Sequence, residues 1–457
     1  MLPLRDGTGV RTAMTSSRVI DVQEFIDAHA LSTTQRLLLV LCFLVVAIDG
    51  FDTGIVGFIA PAIRAEWQLD VTRLGPLFAA GLFGLMIGSF AVGPAADHFG
   101  RKTMLIASVL GFGGCSVASA FSPDITTLIA LRFLTGLGLG GAMPTAITLT
   151  SEYCPKRRRS SLVTLMFCGF TIGSAIGGIA AAQVVTAYGW RPLLIAGGLM
   201  PALLAPALGI ALPESVRYLV SKGGDGSRVA AALGRVAPDP ALEGARFAGA
   251  NAARRSPVRE LFAGGLLPGT LLLWLAFFMS LLVVYLLSNW MPTLIQRSGS
   301  SLSRASLITA AFQVGGTIGA IVIGRLMDRA SPHSVLGVAY IGAGGFVSLI
   351  GIAAATPWLM ALAVFGAGFC VSGAQVGANA LAAAFYPTAY RATGVSWALG
   401  VGRSGSIAGS FLGGAMLAQG WGLPTVYGLV AIPAVISGAA ILILGSPAVR
   451  RPDHTDV

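Results

Sequence analysis

Long apolar runs alternate with short polar breaks along this chain. The runs recur at about 35–63, 75–96, 103–122, 125–153, 161–187 and 192–212, then at about 267–296, 305–327, 334–355, 357–385, 393–418 and 423–446. Each is near the ~20 residues a helix needs to cross a bilayer. The pattern predicts an all-α integral membrane protein with twelve transmembrane helices. One long polar stretch, 213–266, rich in Arg, Gly, Ala and Pro, divides the spans into two groups of six. The expected organisation is an N-terminal tail (1–34), a first six-helix bundle (35–212), a central loop with short helices (213–266), a second bundle (267–446) and a C-terminal tail (447–457). The polar start is followed too late by too long an apolar run for a cleavable signal peptide. The patch from Val19 to Leu31 is amphipathic, and a solvated tail is the simpler expectation for it.

An internal repeat supports the division. Asp97 has a counterpart in Asp328, and Gly189-Trp190 in Gly420-Trp421, both 231 positions later, while Pro155 and Arg159 recur 232 positions on as Pro387 and Arg391. Parallel halves with one internal order place a substrate site at their interface, near the bilayer midplane.

Composition agrees. The chain is 55% hydrophobic and 11% charged, against about 25% charged in soluble domains. The net charge of +11 suggests nucleic acid only until the charges are located. With both termini cytoplasmic, 23 of the 30 Lys and Arg fall in inner segments and 5 in outer loops. That asymmetry orients a protein in a lipid bilayer and gives no reason to invoke nucleic acid. Cys42, Cys115, Cys154, Cys168 and Cys370 form no Cys-x-x-Cys pair, so neither a metal site nor a disulfide framework is expected, and no cofactor. No nucleophile–base pair appears, and the central loop is too small for a catalytic domain, which argues against an enzyme.

Charges inside the spans carry the chemistry. Asp49 and Asp52, three positions apart in span one, share a helix face and are expected to point into one polar cavity. Each costs about 2.5–3.5 kcal/mol at membrane depth, which marks proton or ion handling. Asp52 is the preferred one for substrate coupling, since Gly50 and Phe51 before it bring no polar group. Arg132 in span four needs an acceptor, and the span-one carboxylates or Glu152 are the candidates. Gly136, Gly138 and Gly141 match G-x-G-x-x-G, but no strand precedes them and they read as packing residues. Arg403 in span eleven could bind a carboxylate. Tyr285 and Asn289 lie one turn apart, as do Gln375 and Asn379; all four could contact ring substituents or bond neighbouring helices. Trp290 could be an interfacial anchor, and His333 sits at a turn.

Several stretches resemble a known family. Gly93-Pro94-Ala95-Ala96-Asp97-His98-Phe99-Gly100-Arg101-Lys102 resembles the G-x-x-x-D-x-x-G-R-[RK] loop of the major facilitator superfamily. Gly324-Arg325-Leu326-Met327-Asp328-Arg329 resembles its shortened second copy. The resemblance implies the major facilitator fold, two pseudo-symmetric six-helix halves, with a cytoplasmic latch of Asp97, Gly100, Arg101, Asp328, Arg329 and Arg391. In that latch Asp97 caps a helix and pairs with an arginine, gating the halves. Arg132 to Gly138 resembles the R-x-x-x-G-x-G element of proton-coupled members, and Pro213 to Leu219 the P-E-S-P-R-[WY]-L ending of span six. Span five lacks the Gly-Pro element of drug antiporters, which favours symport. Three stretches look like the aromatic acid:proton symporters: Asp49-Gly50-Phe51-Asp52, Asn289-Trp290-Met291-Pro292-Thr293, and Tyr386 to Val395 continuing through Ser396-Trp397 to Gly402-Arg403.

What this resemblance implies is proton-coupled uptake of benzoate-like, hydroxybenzoate-like or phenylpropanoid acids that feed aromatic catabolism. It implies a monomeric multi-pass carrier in a bacterial inner membrane. Asp49, Asp52, Arg132 and Glu152 would serve proton coupling; Asp52, Arg403, Tyr285, Asn289, Gln375 and Asn379 would bind substrate. The alternatives are a symporter of another organic acid or a sugar, or a transport-inactive chemoreceptor on the same scaffold.

Overall fold

A computed structural model of the chain describes residues 19–222, 226–242, 244–248, 258–262, 265–353, 356–387 and 391–446, apart from the side chains at 160 and 392. The tail at 447–457, the first part of the tail at 1–34, stretches of the central loop and 388–390 of the span-ten to span-eleven motif lie outside the described residues. Strand β1 (Val19–Asp21) and helix α1 (Val22–Ala28) precede six long helices, α2 (Thr33–Glu66), α3 (Leu74–Phe99), α4 (Arg101–Ala120), α5 (Ile125–Tyr153), α6 (Arg159–Tyr188) and α7 (Arg191–Ala211). The central stretch holds α8 (Val216–Ser221), α9 (Gly226–Gly234) and strand β2 (Arg246–Ala248). Six more long helices follow: α10 (Leu267–Arg297), α11 (Leu302–Met327), α12 (Pro332–Ile352), α13 (Pro357–Phe385), α14 (Arg391–Ala418) and α15 (Leu423–Leu444). These twelve coincide with the twelve apolar runs. Eleven are long and apolar enough to cross a membrane; α14, interrupted by Arg403, Ser404, Ser406 and Ser410, falls short of that measure.

Local chemistry sets where the helices begin. Ser32 and Gln35 form a reciprocal capping box at the start of α2. Asp124 caps α5 by accepting from the amides of Thr126 and Thr127. The Thr127 amide and hydroxyl hold the Asp124 carboxyl below its usual range. Gly100 joins α3 to α4 at a φ of 98°, a conformation that L side chains avoid.

Between helices in lipid there is little hydrophobic drive, so close backbone approach at small residues holds the bundle. A Cβ on Gly84 or Gly136 would collide with the carbonyl of Phe133 or Gly81 across α3 and α5. In the second half, Gly315 and Gly368 meet the carbonyls of Phe365 and Phe312 across α11 and α13 in the same way. Gly173 against Ala47 (α6 on α2) has its counterpart in Gly405 against Phe278 (α14 on α10). Gly84 and Gly315 are 231 positions apart, and Gly173 and Gly405 are 232, which is the spacing of the sequence repeat. Two six-helix halves with equivalent packing result. They meet through α6 on α11, its counterpart α3 on α14, and α2 on α10.

The two ends of the bundle differ. One end carries Arg101, Lys102, Lys156 and Arg391 and is called the basic end here. At the opposite end a single apolar core spans both halves, joining Phe58, Phe78 and Trp190 to Trp290, Leu294 and Tyr427. At the basic end there are two separate cores, one in each half. Trp290, a candidate interfacial anchor by sequence, is fully buried in the shared core, with its indole N–H donating to the Ser410 carbonyl at 2.8 Å. Its ring meets Phe78 edge-on at 5.1 Å, which closes this end.

The expectation of a solvated N-terminal tail is corrected for residues 19–28. β1 pairs in parallel with β2, Val19 opposite Arg246 and Asp21 opposite Ala248. Val22, Phe25 and Ile26 on α1 pack with Val229, Leu233 and Leu242 on the basic-end core of the first half. Asp27 accepts from the Lys156 amide at 2.7 Å, and the Gln23 carboxamide accepts from Arg159 at 2.6 Å. The apolar face that reads as a membrane-surface patch is thus covered by protein.

Replacing Gly84 by Ala is expected to lower stability by about 1–3 kcal/mol through overpacking. Gly111→Ala, where a Cβ meets nothing within 4 Å, is expected to be neutral or mildly stabilising. Thermal unfolding of the detergent-solubilised variants checks the contrast, and equal melting temperatures would show that the α3–α5 approach is not tight.

Candidate functional site

Asp49 and Asp52 do not share one environment. Three residues on a helix differ by about 60° around its axis, and here that angle divides two destinations. Asp52 turns toward α4 and α5. Its Oδ2 pairs with Arg132 Nη1 at 3.1 Å and its Oδ1 accepts from Ser116 Oγ at 2.5 Å. Arg132 also donates to Ser119 Oγ at 3.0 and 3.2 Å and to Thr135 Oγ1 at 3.0 Å. Both charged side chains are nearly inaccessible, at 3% and 2% exposure. Such a pair is tolerable in a low-dielectric interior because nearly every donor and lone pair is met. A small pocket beside it, lined by Asp52, Arg132, Thr135 and Phe78, adjoins Tyr285 and Asn289.

Asp49 faces the interface between the halves. Its Oδ1 accepts from Thr53 Oγ1 at 3.1 Å, while Oδ2 has no partner. It lines a cavity of about 1190 Å³, counting the part open to solvent. A core shared by both halves closes the opposite end, whereas the cores of the two halves are separate at the basic end, so we read the mouth of the cavity at the basic end. Tyr285, Asn289, Gln375, Asn379 and Arg403 line the same cavity, so six sequence candidates from four helices converge there. The first half adds Met143, Phe167, Phe170 and Thr171. Arg403, Asp49 and Tyr285 are close enough to act on one another electrostatically. Among the described residues no hydrogen bond or ion pair engages the Arg403 guanidinium. The two aspartates expected to open on one cavity are placed differently: Asp49 lines the large cavity, while Asp52, paired with Arg132, lines the small pocket that shares Thr53, Tyr285 and Asn289 with it.

The remaining polar cavity residues are partly spoken for. Asn289 donates to Ser410 Oγ at 3.1 Å, and Gln313 to Ser288 Oγ at 3.4 Å. Gln375 Oε1 accepts from Ser280 Oγ at 2.6 Å and Tyr340 OH at 3.4 Å. Across the interface Thr171 and Thr317 share a hydroxyl bond of 2.5 Å.

Glu152, one of the candidate acceptors for Arg132, sits at the basic end, and Asp52 takes that place. It forms an ion pair with Arg101 and accepts from Ser215 Oγ at 2.5 Å. Asp97 pairs at 3.6 Å with Arg101 one turn away and is largely exposed. The helix cap expected from it is supplied by Glu214, which accepts from the amides of Arg101 and Lys102 at 2.9 and 3.0 Å. A Cβ at Gly100 would run into that same Glu214 carboxylate. Asp328 and Arg329 are exposed and make no ion pair among the described residues; Arg391 donates to the Tyr386 carbonyl at 3.5 Å. Arg101, Asp97 and Glu152 pair within the first half.

Sequence reasoning missed Ser116, Ser119 and Glu214. The two serines, three apart in an otherwise apolar run, carried a legible sign: hydroxyls on one face of a span await a polar partner.

Similar proteins bear on this geometry. The Major Facilitator Superfamily model matches residues 42–303 and 273–456. The chain is 46% identical over 429 residues to the 4-hydroxybenzoate transporter PcaK of Pseudomonas aeruginosa, covering 93% of this chain and 96% of that one. It is 45% identical over 441 residues to a gallate transporter of Pseudomonas putida, covering 95% and 98%. Among solved structures, the partially occluded inward-open xylose transporter XylE of Escherichia coli superposes with a TM-score of 0.71 over 89% of this chain and 97% of that chain, at 17% identity. That likeness concerns the fold alone.

Arg132→Ala is expected to destabilise the protein by about 3–5 kcal/mol, because it leaves Asp52 buried and uncompensated. Adding Asp52→Asn should recover much of the loss. A double-mutant cycle on thermal unfolding measures the coupling, and purely additive effects would count against a buried pair.

Proposed function

The chain belongs to the Major Facilitator Superfamily, and on that premise we propose that it takes up aromatic carboxylic acids together with protons by alternating access. The single observation that supports this reading is that one cavity holds two opposite charges, Arg403 from one half and Asp49 from the other, with the guanidinium engaged by no hydrogen bond or ion pair among the described residues. Phe167, Phe170 and Tyr285 supply an aromatic wall beside them, and the transporters named for 4-hydroxybenzoate and gallate support an aromatic acid as cargo.

Coupling follows from charge balance. Ionised Asp49 neutralises Arg403 in the empty carrier. A substrate carboxylate competes for the same guanidinium and gains it when Asp49 takes a proton. Proton and anion thus favour each other's binding. Empty carrier and fully loaded carrier both hold no net charge at this site, so either can reorient. Carrier with the proton alone is positive, and with the anion alone negative; each holds an unanswered charge in the membrane and is held back. Asp52, already neutralised by Arg132, is left a structural role, and one proton moves with each monoanion.

The orientation read from the Lys and Arg distribution puts the basic end and both termini in the cytoplasm of a bacterial cell, and the chain acts as a monomer. The open mouth then belongs to the inward-facing form, and Asp97, Arg101, Asp328, Arg329 and Arg391 meet across the interface only when that end closes.

Proteoliposomes test this reading. A pH gradient should drive accumulation of 4-hydroxybenzoate, while an imposed membrane potential, worth about 2.3 kcal/mol per charge per 100 mV, should add nothing to an electroneutral step. Accumulation driven by potential alone would mean that a second proton moves. Asp49→Asn should still exchange labelled for unlabelled substrate, since its loaded form is neutral. It should not accumulate substrate, because its empty form keeps the positive charge of Arg403. Gradient-driven accumulation by Asp49→Asn would overturn the assignment.

A further inference from the structure

Two residues of α13 that line the cavity each carry a buried polar atom without a protein partner. Gln375 is held by its carbonyl: Oε1 accepts from Ser280 Oγ on α10 and from Tyr340 OH on α12. Its Nε2 is buried and donates to nothing in the chain. Asn379 lies one turn further toward the basic end, about 6 Å along the axis, and its Oδ1 is buried without a donor. Both residues line the cavity that Arg403 and Asp49 share. A donor and an acceptor left unmet side by side in a cavity wall are costs that a bound molecule can remove.

We propose that Gln375 and Asn379 together read a phenolic hydroxyl, so that the cavity selects hydroxylated aromatic acids over acids lacking the hydroxyl. The inference rests on the aromatic-acid reading above and refines its substrate class. A phenol is the complementary group because one oxygen both accepts and donates. It can accept from Gln375 Nε2 and give its proton to Asn379 Oδ1. A second carboxylate has only acceptors and leaves Asn379 Oδ1 unmet. An ammonium has only donors and leaves Gln375 Nε2 unmet. With the carboxylate on Arg403 of α14 and the hydroxyl on the neighbouring α13, the ring lies against the second half and faces Phe167 and Phe170 across the interface.

The fixing of Gln375 matters to the assignment. Ser280 and Tyr340 are buried, at 1% exposure each, and both hydroxyls lie on the Oε1 side of the amide, with Ser280 Oγ also 3.3 Å from the Phe277 carbonyl. Hydroxyl recognition in sealed sites reaches discrimination of about 10⁴. This cavity is not sealed, its volume being counted with a part open to solvent, so the expected selectivity is nearer tenfold.

The test is initial uptake into proteoliposomes of labelled benzoate, 3-hydroxybenzoate and 4-hydroxybenzoate under one pH gradient. Wild type should show about a tenfold higher kcat/KM for at least one hydroxylated acid than for benzoate. In Gln375→Met and in Asn379→Leu this ratio should fall toward one. A general folding or gating defect would slow all three acids in proportion and leave the ratio intact, which would overturn the proposal. A comparison in wild type avoids any mutation: 4-methylbenzoate matches the hydroxyl in size but cannot bond, and should compete about tenfold more weakly than 4-hydroxybenzoate. If it competes equally, or if benzoate is carried as well as both hydroxylated acids, the hydroxyl-reading pair is wrong while aromatic-acid transport stands. If none of these acids is carried, the aromatic-acid reading falls as well.

Discussion

A charge inside hydrocarbon has to be answered by the neighbouring helices, and the Asp52–Arg132 pair is where this chain meets that demand most fully. The pair and its three hydroxyls, on Ser116, Ser119 and Thr135, tie α2 to α4 and α5 within the first half. Two consequences reach the rest of the molecule. The first half has a rigid polar centre of its own, so it need not borrow one from the second. One of its two span-one carboxylates is also removed from the cavity's charge balance. What is left at the interface is a single acid from one half and a single guanidinium from the other.

The scaffold is symmetric and the chemistry is not. Glycine contacts repeat between the halves at 231 or 232 positions, as do Asp97 and Asp328 at the helix ends, yet the arginines inside the spans do not. By the offset that relates Gly173 to Gly405, the counterpart of Arg403 is Thr171, which makes the hydroxyl bond to Thr317 across the interface. By the offset of 232 that relates Gly136 to Gly368, the counterpart of Arg132 is Val364, a fully buried core residue. Packing between helices needs small residues at equivalent places in both halves, because the backbones approach equally closely. An asymmetric substrate with one charged end needs its cation in only one of them.

The spans, their grouping by six and the repeat were legible in the sequence because each rests on a local quantity: the length of an apolar run, or one recurring spacing. Convergence of Tyr285, Asn289, Gln375, Asn379 and Arg403 was legible as well, since polar groups in apolar spans have few other places to go. The divergence of Asp49 and Asp52 was not. Spacing of three says that two side chains lean the same way, but a 60° difference is decided by which neighbours stand on either side, and those come from distant helices. The role of Glu214 was hidden for the same reason, for its amide partners at Arg101 and Lys102 lie more than a hundred residues earlier. Least legible was β1, whose strand partner among the described residues is 246–248.

That remote pairing has a consequence for how the protein is made. Val19 leaves the ribosome long before Arg246, and at about 5–20 residues per second the wait is on the order of ten to forty seconds. Throughout it Phe25 and Ile26 lack the central-loop members of their core, Val229, Leu233 and Leu242. The strand pair can first form once six spans have been made. Its closure marks completion of the first bundle, a checkpoint written into the order of synthesis.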